Sequence, residues 1–263
     1  SALGARGIQL PVAETIVARG VLALQGAEAP EGAIALSTSL GDAPICPGAL
    51  AADWILLESG ESLALAPSAA ITIQPTGVAG ALAGRLSWDK SGATLSVPRP
   101  RDGLRPIAAL MRALQIAGAA DRLLEMSIAY ANDRVQFGKP IGRQQALQQN
   151  LALMAEDVVA TRIAAQLGAA SGLPPSLLAA ATAKATASSA ASRIAATAHA
   201  VHGAIGISEE YDLQLLTRRL HEWRLADGAE SYWGTVIGDA RVLRKGGSVD
   251  FLRADIFMEP AAG

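Results

Sequence analysis

A single cysteine, Cys46, stands in 263 residues, so no disulfide can close within the chain. Nothing near the start combines a basic segment, an apolar run and a small-residue cleavage site. Both absences fit a reducing, cytoplasmic setting. Basic charge in excess is missing too: 22 Lys and Arg stand against 24 Asp and Glu, for a formal net charge of -2. Phosphate backbones and anionic membranes attract strongly basic surfaces, so neither nucleic acid nor a membrane is an expected partner. No apolar run of membrane-spanning length is uninterrupted, and the Ala-rich stretch 178–201 is broken by Lys184, Ser188, Ser189 and Arg193. That stretch predicts a tightly packed helix of a soluble protein. Sequence signatures of common catalysts are also lacking. There is no G-x-S-x-G elbow, no P-loop and no G-x-G-x-x-G after a strand. His199 and His202 lie three apart without a Cys or acidic partner at useful spacing, so no metal is expected. His221, on a charged helix, reads as solvated.

What is present is a chain 51% hydrophobic and 17% charged, enough for one large globular domain or two smaller ones. Three regions are expected. Residues 1–25 hold one short amphipathic helix after Pro11 and resemble the remnant of a domain. Residues 26–100 carry short β-rich runs, including Ala33–Leu36, Trp54–Leu57, Ile71–Ile73 and Ala93–Val97. Turn signals at Ser59-Gly60, Pro75-Thr76-Gly77 and Lys90-Ser91-Gly92 separate them, which predicts a small antiparallel sandwich or barrel closed by Pro98 and Pro100. From 101 to 263 the period becomes helical. Leu147, Leu151, Met154 and Val158 step by four, three and four along one face. Helices are expected over about 104–131, from after Gly142 to Gly172, and over 176–201, 209–225 and 228–245. The fold class is therefore α+β, with a small antiparallel β domain followed by a helical bundle of four long helices and a shorter one.

Three clusters carry chemistry. Between Tyr130 and Gln145, Gly138, Pro140 and Gly142 interrupt the helical pattern and leave Arg134, Gln136 and Phe137 on a short connection. A guanidinium, an amide and an aromatic ring can bind an anionic, ring-bearing ligand, although a merely polar surface loop has the same composition. Gly203 and Gly206 flank a second break, before a helix that Ser208 is placed to cap; such a helix start can accept phosphate oxygens. The third cluster is "RLADGAES", residues 224–231. Asp227 followed by Gly228 reads as a cap of the last helix, with Glu230 as its capping-box partner, and the same acid could serve as a base.

In this order, the clusters resemble the C-terminal half of the acyl-CoA dehydrogenase family of flavoproteins, from about Ile107 to Asp239. The pattern stands as Tyr130, Ala131, Arg134, Gln136, Phe137, Gly138, Pro140, Ile141 and Gln145, continued by Leu151, Ala152 and Met154. The resemblance implies FAD as cofactor, with Arg134 on the pyrophosphate of a neighbouring subunit's FAD beside Gln136 and Phe137. Gly203, Ala204 and Gly206 would lie against its ADP part, and Ala229 and Ser231 would also touch the flavin. It further implies an acyl-CoA substrate, an electron-transfer acceptor protein, and a homodimer, homotetramer or heteromer with a related subunit. Counting from Gly203 puts the family's Glu-Gly-Thr motif on Asp227-Gly228-Ala229. Asp227 is then the base that takes the α-proton of the thioester while hydride leaves the β-carbon for flavin, with Gly228 and Arg112 on the substrate.

The departures from the family pattern leave alternatives. Aspartate is one methylene shorter than glutamate, and an aspartate here also resembles the nitroalkane oxidase branch. Ala200 replaces a usual glutamine, and the arginine that faces CoA in many members aligns near Ala109, one turn before Arg112. Upstream, "LSTSLGDAP" (Leu36 to Pro44) is the nearest likeness to the flavin-cradling segments, while "GALAADWILL" (Gly48 to Leu57) resembles a later part of the same domain. An abridged middle domain of this kind also suits a non-catalytic or half-site subunit of a heteromeric dehydrogenase.

Overall fold

A computed structural model describes residues 1–38, 43–78, 80–89 and 91–257. Part of the "LSTSLGDAP" likeness (39–42) and Lys90 of the third turn signal lie outside the described residues. In chain order the elements are α1 (Ala2–Ala5), α2 (Val12–Leu24), β1 (Ile34–Ser37), β2 (Ile45–Cys46), β3 (Trp54–Ser59), β4 (Ser62–Pro67), β5 (Thr72–Pro75), β6 (Gly84–Ser87) and β7 (Leu95–Pro98). There follow α3 (Arg105–Asp133), β8 (Val135–Gln136), β9 (Lys139–Pro140), α4 (Gln145–Ala170), α5 (Leu177–His202), α6 (Leu213–Leu225), α7 (Glu230–Leu243) and α8 (Ser248–Phe251). The chain forms two compact units. One holds Ile8–Met111 with Ser171–Leu177, and the other holds Ser1–Gly7, Arg112–Ala170 and Leu178–Gly263.

The first unit is built on two sheets, ordered β1-β3-β4-β7 and β2-β6-β5. Alternate residues Ile55 and Leu57 of β3 join Ala35, Ala66, Cys46 and Leu86 in one buried cluster, as the period-two geometry of strands requires. The Cys46 thiol is fully buried there and donates to the carbonyl of Leu36, 3.3 Å away. Pairing is antiparallel throughout with one exception among the described residues. β1 and β3 run parallel, Ile34 opposite Trp54. The small antiparallel domain expected from the sequence departs from that pattern at this pair. The 16 residues between the two strands carry β2 in the other sheet, and a crossover of that length permits parallel pairing where a tight hairpin does not. β3 and β4 form such a hairpin, with Ser59 opposite Ser62 and Gly60 at φ 62°.

The second unit is helical. α3, α4 and α5 have 29, 26 and 26 residues, and α6 and α7 have 13 and 14. Among the described residues the bundle is thus three long helices and two shorter ones, rather than four long and one short. Met154, Val158, Thr161, Ala165 and Gly168 form the buried stripe of α4, continuing the spacing legible in sequence. On α5 the buried positions are mostly alanines, from Ala179 to Ala198, so the helix backbone can lie close to its neighbours. One member of that buried face is Lys184. Among the described residues no helix is long and apolar enough to cross a membrane.

Candidate functional site

The residues singled out in sequence collect in two places within the helical unit. At the first, β8 and β9 form a two-residue hairpin, with Gln136 opposite Lys139. Its central residues, Phe137 and Gly138, have φ of 52° and 75°, the left-handed pair that a tight hairpin turn demands. The geometry leaves the Phe137 ring 92% exposed at the tip. Arg134, just before β8, and Gln136, beside the turn, line a cavity of about 690 Å³ together with Tyr130, His202, Gly203 and Ala204. Gly203 has φ 63° and open space where a Cβ would stand, so it ends α5 without narrowing the cavity. Gly206 does something different. A Cβ there would come within 2.8 Å of Leu213 Cδ2 and 3.0 Å of His202 Cβ, so it serves close packing.

His202 was not singled out for this cavity by sequence. It is 3% exposed, stacks on Tyr130 with ring centroids 4.5 Å apart, and holds its Nδ1 2.8 Å from the carbonyl of Ala198. Its Nε2 is buried and has no partner among the described residues. Burial pushes its pKa below the ordinary histidine value, which favours the neutral ring. The neighbouring His199 places Nε2 2.9 Å from the Thr217 hydroxyl. Among the described residues no three His, Cys, Asp or Glu side chains are grouped to hold a metal ion.

The second place is the turn between α6 and α7. Two sequence readings of helix starts are corrected. Ser208 does not cap α6, which begins at Leu213; its hydroxyl instead donates to the Ile205 carbonyl, 3.0 Å away. Asp227 does not cap α7 either, because Ala229 is the N-cap and makes no side-chain bond. Glu230 is drawn off as well, into a pair with Arg224 that lowers the Glu230 pKa. Asp227 sits at φ 59°, and it and Phe137 are the two non-glycine residues with positive φ among those described. Its carboxylate Oδ2 accepts from Arg112 Nε at 3.1 Å, with both side chains at most 3% exposed. Arg112 Nη1 in turn donates to Gln115 Oε1 at 2.9 Å, one helical turn along α3. Arg112 and Asp227 stand 115 positions apart in sequence, and the fold brings them together. The Asp227 carbonyl accepts from the indole of the buried Trp233, 3.1 Å away. Gly228, at φ 102°, leaves room for that indole: a Cβ would stand 2.7 Å from Trp233 Nε1. Ala229 is half-buried and Ser231 exposed at the start of α7.

A buried carboxylate on a left-handed turn, held by a guanidinium, sits in the same helical unit as a cavity lined by Arg134 and Gln136. The family model for the acyl-CoA dehydrogenase C-terminal domain matches residues 107–240, just over half of the chain. The chain belongs to the acyl-CoA dehydrogenase family. Acyl-CoA dehydrogenase IpdE2 of Mycobacterium tuberculosis is 40% identical over 122 residues, covering 46% of this chain and 37% of that protein. IpdE2 of Mycolicibacterium smegmatis is 33% identical over 119 residues, covering 45% of this chain and again 37% of the relative. The chain thus matches little more than a third of the length of these curated acyl-CoA dehydrogenases. Among solved structures, the ChsE4-ChsE5 complex of Mycobacterium tuberculosis has a TM-score of 0.80 at 22% identity, covering 93% of this chain and 79% of that one, a likeness of fold. A glutaryl-coenzyme A dehydrogenase in complex with glutaryl-CoA has a TM-score of 0.62 at 27% identity, covering 82% and 63%. Acyl-CoA dehydrogenases generally bind FAD.

Proposed function

We propose that this chain serves the FAD-dependent α,β-dehydrogenation of an acyl-CoA thioester, with Asp227 as the base that takes the α-proton. The setting of Asp227 supports the reading most directly. A non-glycine residue in a left-handed conformation costs about 1–3 kcal/mol, and burying a carboxylate costs several more unless it is paired. The first cost is borne, and the second is met by a dedicated partner, at the position where the family motif carries its base. Arg112 offsets the desolvation and orients the carboxylate, and Gln115 orients Arg112.

The cavity beside the β8–β9 hairpin suits the ADP part of FAD. Arg134 offers a fork of donors for a diphosphate and Gln136 an amide. The unpaired Nε2 of His202 offers a further polar contact for a sugar or base edge. Gly203 and Ala204 would admit the ligand without steric conflict. When bound, FAD supplies the acceptor for the hydride that leaves the acyl β-carbon. Reoxidation would fall to an electron-transfer protein.

A second reading, a half-site or non-catalytic subunit of a heteromer, draws on two observations. The chain matches about a third of its curated relatives' length, and the fold it shares with the ChsE4-ChsE5 complex occurs there in an assembly of two named chains. The flavin spectrum of the purified protein, alone and with any chain that co-purifies, separates the readings. Acyl-CoA is expected to bleach bound flavin, and Asp227→Asn to abolish the bleaching while flavin stays bound. Unchanged bleaching in Asp227→Asn would remove Asp227 from the mechanism. Failure to take up FAD under either condition would sink the enzyme reading, and full activity of the chain alone would sink the half-site reading.

A further inference from the structure

Lys184 is fully buried on α5, in a helix face made mostly of alanines. Its Nζ lies 2.8 Å from the carbonyl of Arg224, 2.9 Å from the carbonyl of Gly228 and 2.8 Å from the hydroxyl of Ser188. Arg224 belongs to the last turn of α6, whose carbonyls have no partner within the helix. Gly228 lies just before α7. One ammonium group therefore ties together the two ends of the turn that carries Asp227, and the Ser188 hydroxyl adds a contact to the Arg224 carbonyl at 3.3 Å. We infer that Lys184, supported by Ser188, is a positioning residue that holds the 224–228 turn closed and so presents the Asp227 carboxylate to substrate. The functional part of this inference rests on the reading of Asp227 as base.

The clamp has chemistry that survives a change of charge. As an ammonium, Lys184 donates to all three oxygens. As a neutral amine it still donates to both carbonyls, while its lone pair accepts from the Ser188 hydroxyl. Burial lowers its pKa from the ordinary lysine value to about 7, against the pull of the Asp227 carboxylate. The charged groups around it are Asp227 on the turn, Arg112 from α3, Arg224 from α6 and Glu230 from α7. The two guanidiniums stay charged near neutral pH, and the pair with Arg224 keeps Glu230 ionised. Lys184 thus changes charge near neutral pH, altering the field at Asp227 while its bonds to both carbonyls remain.

The test compares the native protein with Lys184→Met in the full chain, with its flavin and any co-purifying partner. Hydrogen exchange of the peptide covering 222–233 is expected to quicken at least tenfold in the variant, with α3 and α4 unchanged. Flavin bleaching by acyl-CoA is expected to slow at least tenfold, with half-saturation shifting less than threefold. The native bleaching rate should rise through pH 7 as the ammonium's pull on the carboxylate is lost, and Lys184→Met should lack this step. Unchanged exchange at 222–233 overturns the clamp, and faster exchange with unchanged bleaching overturns the positioning role. A native protein that bleaches no flavin, or bleaches it equally as Asp227→Asn, defeats the reading of Asp227 while the exchange result still judges the clamp. Should Lys184→Met fail to fold, Ser188→Ala is expected to give the same pattern at two- to fivefold amplitude, and its absence there counts against the proposal.

Discussion

Arg112 Nε meets Asp227 Oδ2 at 3.1 Å, with both side chains almost wholly withdrawn from water. A buried pair of this kind is costly to break from one side, because the remaining charge is left without compensation. Arg112→Met is expected to destabilise the folded chain by about 3–5 kcal/mol, and the double variant Arg112→Met with Asp227→Asn by clearly less than the sum of the singles. Urea denaturation of the four proteins gives the coupling, and an additive double variant would show that the pair contributes nothing as a unit.

Lengthening the acid should not help. The backbone at Asp227 is left-handed, a conformation aspartate tolerates better than glutamate, and the distance to Arg112 suits the shorter side chain. Asp227→Glu is expected to slow flavin bleaching at least tenfold, because a shift of about 1 Å in a reacting group can cost roughly a hundredfold. Stopped-flow absorbance measures this directly; a faster variant would mean that reach limits the native protein.

Lys184 links stability to pH. Its pKa in the folded chain is about 7, below the ordinary lysine value, so between these the unfolded chain holds the proton more tightly. Stability from this group therefore rises as pH increases from about 7 toward about 10, by at most about 1.4 kcal/mol per pH unit. Native protein should gain roughly 2 kcal/mol relative to Lys184→Met between pH 7 and 9 in urea melts. An equal pH response in both proteins would contradict it.

Arg134 is exposed at the base of the hairpin and has no ion-pair partner among the described residues within salt-bridge distance, so its loss should spare the fold. Arg134→Ala is expected to leave the thermal midpoint within about 1 °C and to weaken FAD binding roughly 10- to 100-fold, the worth of a charge-assisted contact. Fluorescence titration with FAD provides the comparison, and unaltered affinity would take Arg134 out of the cofactor site.

Local interactions made much of this protein readable from its sequence. Turn chemistry at Ser59-Gly60, the four-three-four spacing from Leu147 to Val158 and the Ala-rich helix that stops before Gly203 act over a few residues, so each of these elements followed from its own stretch of chain. The motif around Arg134 was legible for the same reason, since a hairpin of two-residue strands keeps its donors together. Long-range contacts were decided by tertiary structure alone. The parallel pairing of β1 with β3 depends on a crossover into a second sheet. His202 becomes part of a cavity wall only when α5 ends beside the hairpin. Asp227 shows the difference most clearly: next to Gly228 and Glu230 it reads as a helix cap, because capping is a local bond. Its true partner, Arg112, stands 115 residues away, and the lysine that holds its turn lies on yet another helix. Burial makes those contacts strong, and only the folded bundle provides the burial.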